Sequence, residues 1–167
     1  MRLILALLIA SCTASFAQNA ELDRRNGFKD IKLGSEASSY DGLELKKRVE
    51  DRIYPEAELY VSKKGHYETI GPHKVHSLTA KTYKGEIFEI KVIIDKNSDL
   101  YKGLKKNFGN PKFDLRKDEY YWSGENLRLS YASLSKNKIV MTYWSFPMHQ
   151  KLKDDKKKAI EDIADDF

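Results

Sequence analysis

Four histidines and a single cysteine, set among scattered serines and carboxylates, are the residues of this 167-residue chain best suited to chemistry. His73 and His76 stand three apart, which on a helix would bring two imidazoles toward one metal ion. The residues around them alternate as a strand does, and there odd spacing sends the two rings to opposite faces. His66 and His149 lie far off without carboxylates at useful spacing. Structural or surface histidine is the expected role, and no metal site is assigned. Nucleophilic catalysis fares no better, because no Gly-x-Ser-x-Gly is present and Cys12 falls in a segment expected to be removed. Glu119 and Glu125 flank one strand and read as surface charge, and no glycine-rich loop is built to cradle phosphate. The sequence assigns no catalytic residue and no cofactor. The alternative is an enzyme whose site is assembled across loops, pairing His66, His73 or His149 with an acid.

Lysines and aromatics interleave, which raises the question of nucleic acid. Lys84-Gly85-Glu86-Ile87-Phe88 has the outline of an RNA-binding sheet motif, but Glu86 occupies the place of a stacking ring and repels phosphate. The segment reads as a hairpin turn, and nucleic acid is excluded as a partner. Lys46-Lys47-Arg48 and Lys156-Lys157-Lys158 are both interrupted by acids, so each reads as a solvated face.

The richest feature is aromatic. Tyr120 and Trp122 alternate against Tyr121, and Met141 and Tyr143 alternate against Trp144. If helices cover one face of a sheet, Tyr121 and Trp144 belong to the other, near Arg128. Aromatics beside an arginine are what binding hot spots are made from. Tyr121, Arg128 and Trp144 are therefore the expected binding residues, for a protein, peptide or envelope component. The competing expectation is that a C-terminal helix covers them as core.

These side chains need elements to hold them. Arg2, the apolar run Leu3 to Ala10 and the small residues of Ser15-Phe16-Ala17 read as a secretory signal over 1–17, too short to span a bilayer. The expected location is periplasmic or secreted, with no transmembrane span. Ile9-Ala10-Ser11-Cys12 offers an alternative, a lipoprotein anchored at Cys12. Without Cys12 the chain has no disulfide, so its core must hold unaided. A hydrophobic fraction of 41% is enough for one.

Residues 18–26 are polar and expected to be loose, and 27–150 form one α+β domain with possible lobes 27–95 and 96–150. Residues 151–167 form a C-terminal helix or tail. Ile31 and Leu33 end a short strand, Ser35 is placed to cap a helix over 36–40, and 43–54 fits neither helix nor strand cleanly. Strands are expected over 57–62, 66–70, 74–83 and 86–95, the last two joined at Lys84-Gly85. Phe88, Ile90, Val92 and Ile94 would share one face. Leu100, Leu104 and Phe108 mark a helix capped by Ser98 and closed by Gly109 and Pro111. Strands over 119–123, 127–132 and 139–146 follow, and then an amphipathic helix from Asp154 with Ile160, Ile163 and Phe167 as its contact stripe. The fold class is α+β, an antiparallel meander with short helices on one face, with helix-plus-meander used twice.

Ile31-Lys32-Leu33-Gly34-Ser35-Glu36 and Leu104-Lys105-Lys106-Asn107-Phe108-Gly109-Asn110-Pro111 resemble the strand–turn–helix opening and the helix end of small exported bacterial domains. Those are the outer-membrane-assembly lipoproteins and the β-lactamase inhibitor proteins. The resemblance implies short helices packed on an antiparallel sheet, and departs in lacking their paired helices and disulfides. It does not transmit function. The expectation is an exported, non-catalytic binding or adaptor domain, with a purely structural envelope component as a further alternative.

Overall fold

A computed structural model describes residues 20–51 and 53–164. The expected signal segment, Cys12 and Phe167 lie outside the described residues. Residues 20–25, expected to be loose, are helical (α1), because Leu22 finds a place in the core and Glu21 ties Arg24 and Arg25 at 2.8 and 2.7 Å. A two-stranded hairpin follows, β1 (Gly27–Phe28) and β2 (Ile31–Lys32). Ser35 does not cap a helix. Its hydroxyl donates to the Lys32 carbonyl at 2.7 Å, and the chain makes only a 3-10 turn over Ala37–Ser39.

The remaining strands are β3 (Leu43–Val49), β4 (Ala57–Ser62), β5 (Thr69–Ile70), β6 (His73–Tyr83) and β7 (Glu86–Asp95). After helix α2 (Ser98–Phe108) come β8 (Lys112–Asp114), β9 (Glu119–Ser123), β10 (Leu127–Ser135) and β11 (Lys138–Ser145), then helix α3 (Phe146–Ala164). The ambiguous 43–54 stretch contains an edge strand. Leu43 is buried at its start while Glu44 to Arg48 are exposed, so no face of it alternates. The α2 cap is Asn97 rather than Ser98, its side chain accepting the Asp99 amide at 2.6 Å.

All strand pairings are antiparallel, and nine strands share one sheet in the order β3-β4-β6-β7-β11-β10-β9-β8, with β5 beside β6. The two helix-plus-meander halves are thus one sheet, joined where β11 lies against β7. The chain leaves β7 at the middle of the sheet and restarts at the far edge, and α2 makes that crossing.

Register explains the core. Trp122, Leu129, Tyr143, Ile90, Ala80 and Tyr60 stand opposite one another across six strands, and all six are buried. The β1–β2 hairpin and α2 cover this first face, with Leu104 and Phe108 packed into the same cluster. On the second face the matching row is Tyr121, Ser130, Thr142, Lys91, Thr79 and Val61, of which only Ser130 is buried. One side of the sheet is dry and the other half-wet.

One apolar residue of β7 departs from the expected face. A register shift at Lys81/Thr82 leaves Phe88 unpaired, so it turns to the second face while Ile87 joins the first. Phe88 there stacks on Tyr54 at 3.8 Å, with Tyr83, Met148 and Leu152 around it. The C-terminal helix starts at Phe146, directly out of β11, and docks through Met148 and Leu152. Ile160 and Ile163, the expected contact stripe, are exposed. Asp155 still bonds Tyr83 and Lys84 of the β6–β7 hairpin, and residues 156–164 are exposed.

Candidate ligand-binding site

The expected binding residues do gather on the second face. Trp144 stands opposite Arg128, and Tyr121 lies diagonally beside them. None is free. The Arg128 Nη2 donates to Asp114 at 3.1 Å and to Glu119 at 2.7 Å, and the guanidinium lies over the Tyr121 ring. Trp144 is half-buried and packs edge-on against Tyr54 and Phe88, at 5.7 and 5.5 Å between centroids. The covering element is the loop that carries Tyr54. Asp51 accepts the amides of Ile53 and Tyr54 and an ion pair from Lys81 at 3.1 Å. Burial pulls the Asp51 carboxyl up, but those amides and the ammonium outweigh it and hold it below the ordinary range.

A roomy concavity lies on the first face, away from the residues that the sequence singled out. A cleft of about 620 Å³ opens between α2, the β1–β2 hairpin and the turn between β5 and β6. Its floor is Met141 and Tyr143 of β11, both buried. One wall is Leu100, Gly103, Leu104 and Phe108 of α2, and the other Gly27 and Phe28 of the hairpin. Ile70, Gly71 and Pro72 close one end. Clefts that bury small ligands hold roughly 300–1,000 Å³ and are mostly apolar with a few polar groups.

Glycine makes the room. A Cβ on Gly103 would meet nothing within 4 Å, so the middle of α2 is open toward the cleft. Gly27 has φ +147°, a conformation denied to other residues, and its Cα passes close to the Ile31 carbonyl. The apolar residues of α2 gave a helix stripe in the sequence, but only the hairpin opposite turns that stripe into a wall. Gly103 at the stripe's edge was the one available signal.

Five charged or titratable groups line the cleft: Arg25, Lys29, His73 and Asp99 at its border and Tyr143 on its floor. Arg25 is paired with Glu21 and lies 5.6 Å over the Phe108 ring. Asp99 bonds Lys102 at 3.1 Å, which holds its carboxyl below the usual range. Lys29 has no carboxylate within ion-pair distance among the described residues, and Asp30 beside it accepts the Tyr67 hydroxyl at 3.2 Å. Burial pushes the Tyr143 hydroxyl far up, with Arg25 the charge near enough to oppose it.

His73 does not make an acid–base pair here. Its Nδ1 contacts the Asn97 amide at 3.4 Å although Asp99 lines the same cleft. His76 meets Asp95 at 2.7 Å at the surface, and His149 contacts the Tyr54 hydroxyl at 3.4 Å. Among the described residues no serine or threonine hydroxyl bonds a histidine, and no three ligand-type side chains gather for a metal ion. No helix among them is long and apolar enough to cross a membrane. Comparison of the chain with protein-family models, curated proteins and solved structures gives no match to any of them.

Proposed function

We propose that this chain is an exported, non-catalytic binding domain that holds a small, largely apolar ligand in the cleft between α2 and the β1–β2 hairpin. The observation that carries the reading is a half-open apolar cavity of about 620 Å³ whose floor is core. A monomer that needed only stability would close such a space, since filling it would gain burial on every wall. Export is supported by the leader-like pattern Leu3 to Ala10 followed by Ser15-Phe16-Ala17.

The neutral fluorophore N-phenyl-1-naphthylamine, which brightens in apolar surroundings, tests the reading on the chain from Gln18 onward. Saturable brightening is expected, and Gly103→Phe, which places a ring in the cleft, is expected to abolish it while the fold persists. No brightening, or brightening unchanged by Gly103→Phe, overturns the reading.

A second reading keeps the adaptor role for the other face. Tyr121 and Trp144 are both half-exposed there, beside a row in which only Ser130 is buried. A protein or peptide laid on that row would meet Tyr121, Thr142 and Lys91. Capture of such a partner, lost in Tyr121→Ala but kept in Gly103→Phe, would support this reading against the first.

A further inference from the structure

We infer that the ligand of this cleft is an anionic amphiphile, an apolar chain or ring system ending in a carboxylate or similar acid, with its head at Lys29. The inference rests on the cleft reading above and adds the chemistry of the head group.

The argument is one of charge left over. The cleft's apolar body can take any greasy molecule of suitable size, so selectivity must come from its border. Of the charges there, Arg25 and Asp99 already have partners, in Glu21 and Lys102. Of these border charges, the exposed Lys29 is the cation without an ion-pair partner among the described residues. Its Nζ lies 5.9 Å from the centroid of the Phe28 ring, and Phe28 itself lines the cleft. The ammonium is therefore held at the junction of apolar wall and solvent, where an acid head emerging from an apolar site would sit.

Backbone geometry keeps Lys29 there. It occupies the hairpin turn at φ 54°, and its neighbour Asp30 is drawn off by Tyr67. A second polar group lies deeper. The Tyr143 hydroxyl belongs to a residue only 6% exposed that lines the cleft. Its hydroxyl can donate to an oxygen of a ligand seated on that floor. The Tyr143 hydroxyl and the Lys29 ammonium on an apolar cleft together select an acceptor-rich, negatively charged head. A cationic amphiphile would meet repulsion, and a neutral one would leave Lys29 unused.

The test is competition against bound N-phenyl-1-naphthylamine by dodecanoate, dodecanol and dodecylamine, at neutral pH and below their micelle-forming concentrations. Dodecanoate is expected to displace the probe at about tenfold lower concentration than dodecanol, the worth of one charge-assisted hydrogen bond. Lys29→Gln is expected to erase that preference while leaving dodecanol unchanged. Equal displacement by acid and alcohol, a preference for dodecylamine, or a preference that survives Lys29→Gln overturns the head-group assignment and leaves the cleft standing. A probe that never binds, or binds Gly103→Phe equally well, removes the cleft itself.

Discussion

The Arg128 guanidinium lies over the ring of Tyr121, 3.8 Å from its centroid, and the same group ties down Asp114 and Glu119. The contact links three strands at the far edge of the sheet, because Asp114 is on β8, Glu119 and Tyr121 on β9, and Arg128 on β10. An arginine so engaged braces its own sheet. Arg128→Lys keeps the charge but loses the planar stack and the reach to two carboxylates. A loss of about 0.5–2 kcal/mol is expected, read from the denaturant midpoint.

Acid should act on the same knot. The Arg128 hydrogen bond, helped by the amides of Arg116 and Lys117, holds the Asp114 carboxyl below its ordinary value against the opposing pull of burial. A depressed folded value means the stabilisation is complete above the unfolded value, about 3.9, and is lost as pH falls through the folded one. The acid limb of a stability–pH curve is expected to be shallower in Arg128→Lys than in the parent. Superimposable acid limbs would show that the carboxylates do not depend on this arginine.

Tyr54 is fully buried and stacked on Phe88 with ring planes 13° apart. Tyr54→Ala removes a ring from the second-face cluster and is expected to cost about 3–5 kcal/mol, with Trp144 fluorescence shifting red as its cover is lost. Tyr54→Phe keeps the stack and forfeits only the long contact to His149 at 3.4 Å. Burial, with Asp51 and Glu89 adding to it, pushes the Tyr54 hydroxyl up to about 12. A raised folded value means its stabilisation is present below the unfolded value of about 10 and is lost as pH rises through the folded one. The parent should therefore lose stability in that alkaline window, and Tyr54→Phe should lose less.

The strands that alternate were legible, and the places where the backbone breaks alternation were not. Leu127, Leu129 and Tyr131 against Arg128 and Ser130 read directly as a half-wet strand. Phe88 did not, because a bulge adds one residue and turns everything beyond it to the other face. The edge strand Leu43–Val49 was illegible because a strand with one neighbour and two wet faces has no burial pattern to write into its sequence. Tyr121, Arg128 and Trp144 share the second face, as period two and the register require. The carboxylates that occupy Arg128 come from Asp114 and Glu119, and Asp114 is on a three-residue strand without a periodic signature. The cleft needed two elements separated by residues 33–97, and no local spacing encodes their separation.

The C-terminal helix divides into a docked and an undocked half. Met148 and Leu152 are buried, while Ile160 and Ile163 are 67% and 60% exposed. Leu152→Ala is expected to cost about 2–5 kcal/mol by leaving a cavity beside Phe88. The pair Ile160→Glu and Ile163→Glu is expected to leave the unfolding midpoint where it was, because neither side chain leaves water. A large drop from the glutamate pair would mean that the outer half of the helix is covered in solution.

Two glycines on opposite walls of the cleft should answer alanine in opposite ways. Gly103 lies in the helix interior with open space before it, so Ala adds helix propensity and meets nothing. Gly103→Ala is expected to raise stability by up to about 1 kcal/mol and to retain probe binding. Gly27 is at φ +147° with the Ile31 carbonyl where a Cβ would go. Gly27→Ala must therefore part β1 from β2, whose pairing joins Gly27 to Lys32 and Phe28 to Ile31. Phe28 would lose its place as a wall, and Ile31, fully buried, would lose its cover. Lower stability and lost binding of N-phenyl-1-naphthylamine are expected together from Gly27→Ala. Equal binding by both variants would mean that the hairpin does not form a wall of the site, and that α2 alone holds the probe.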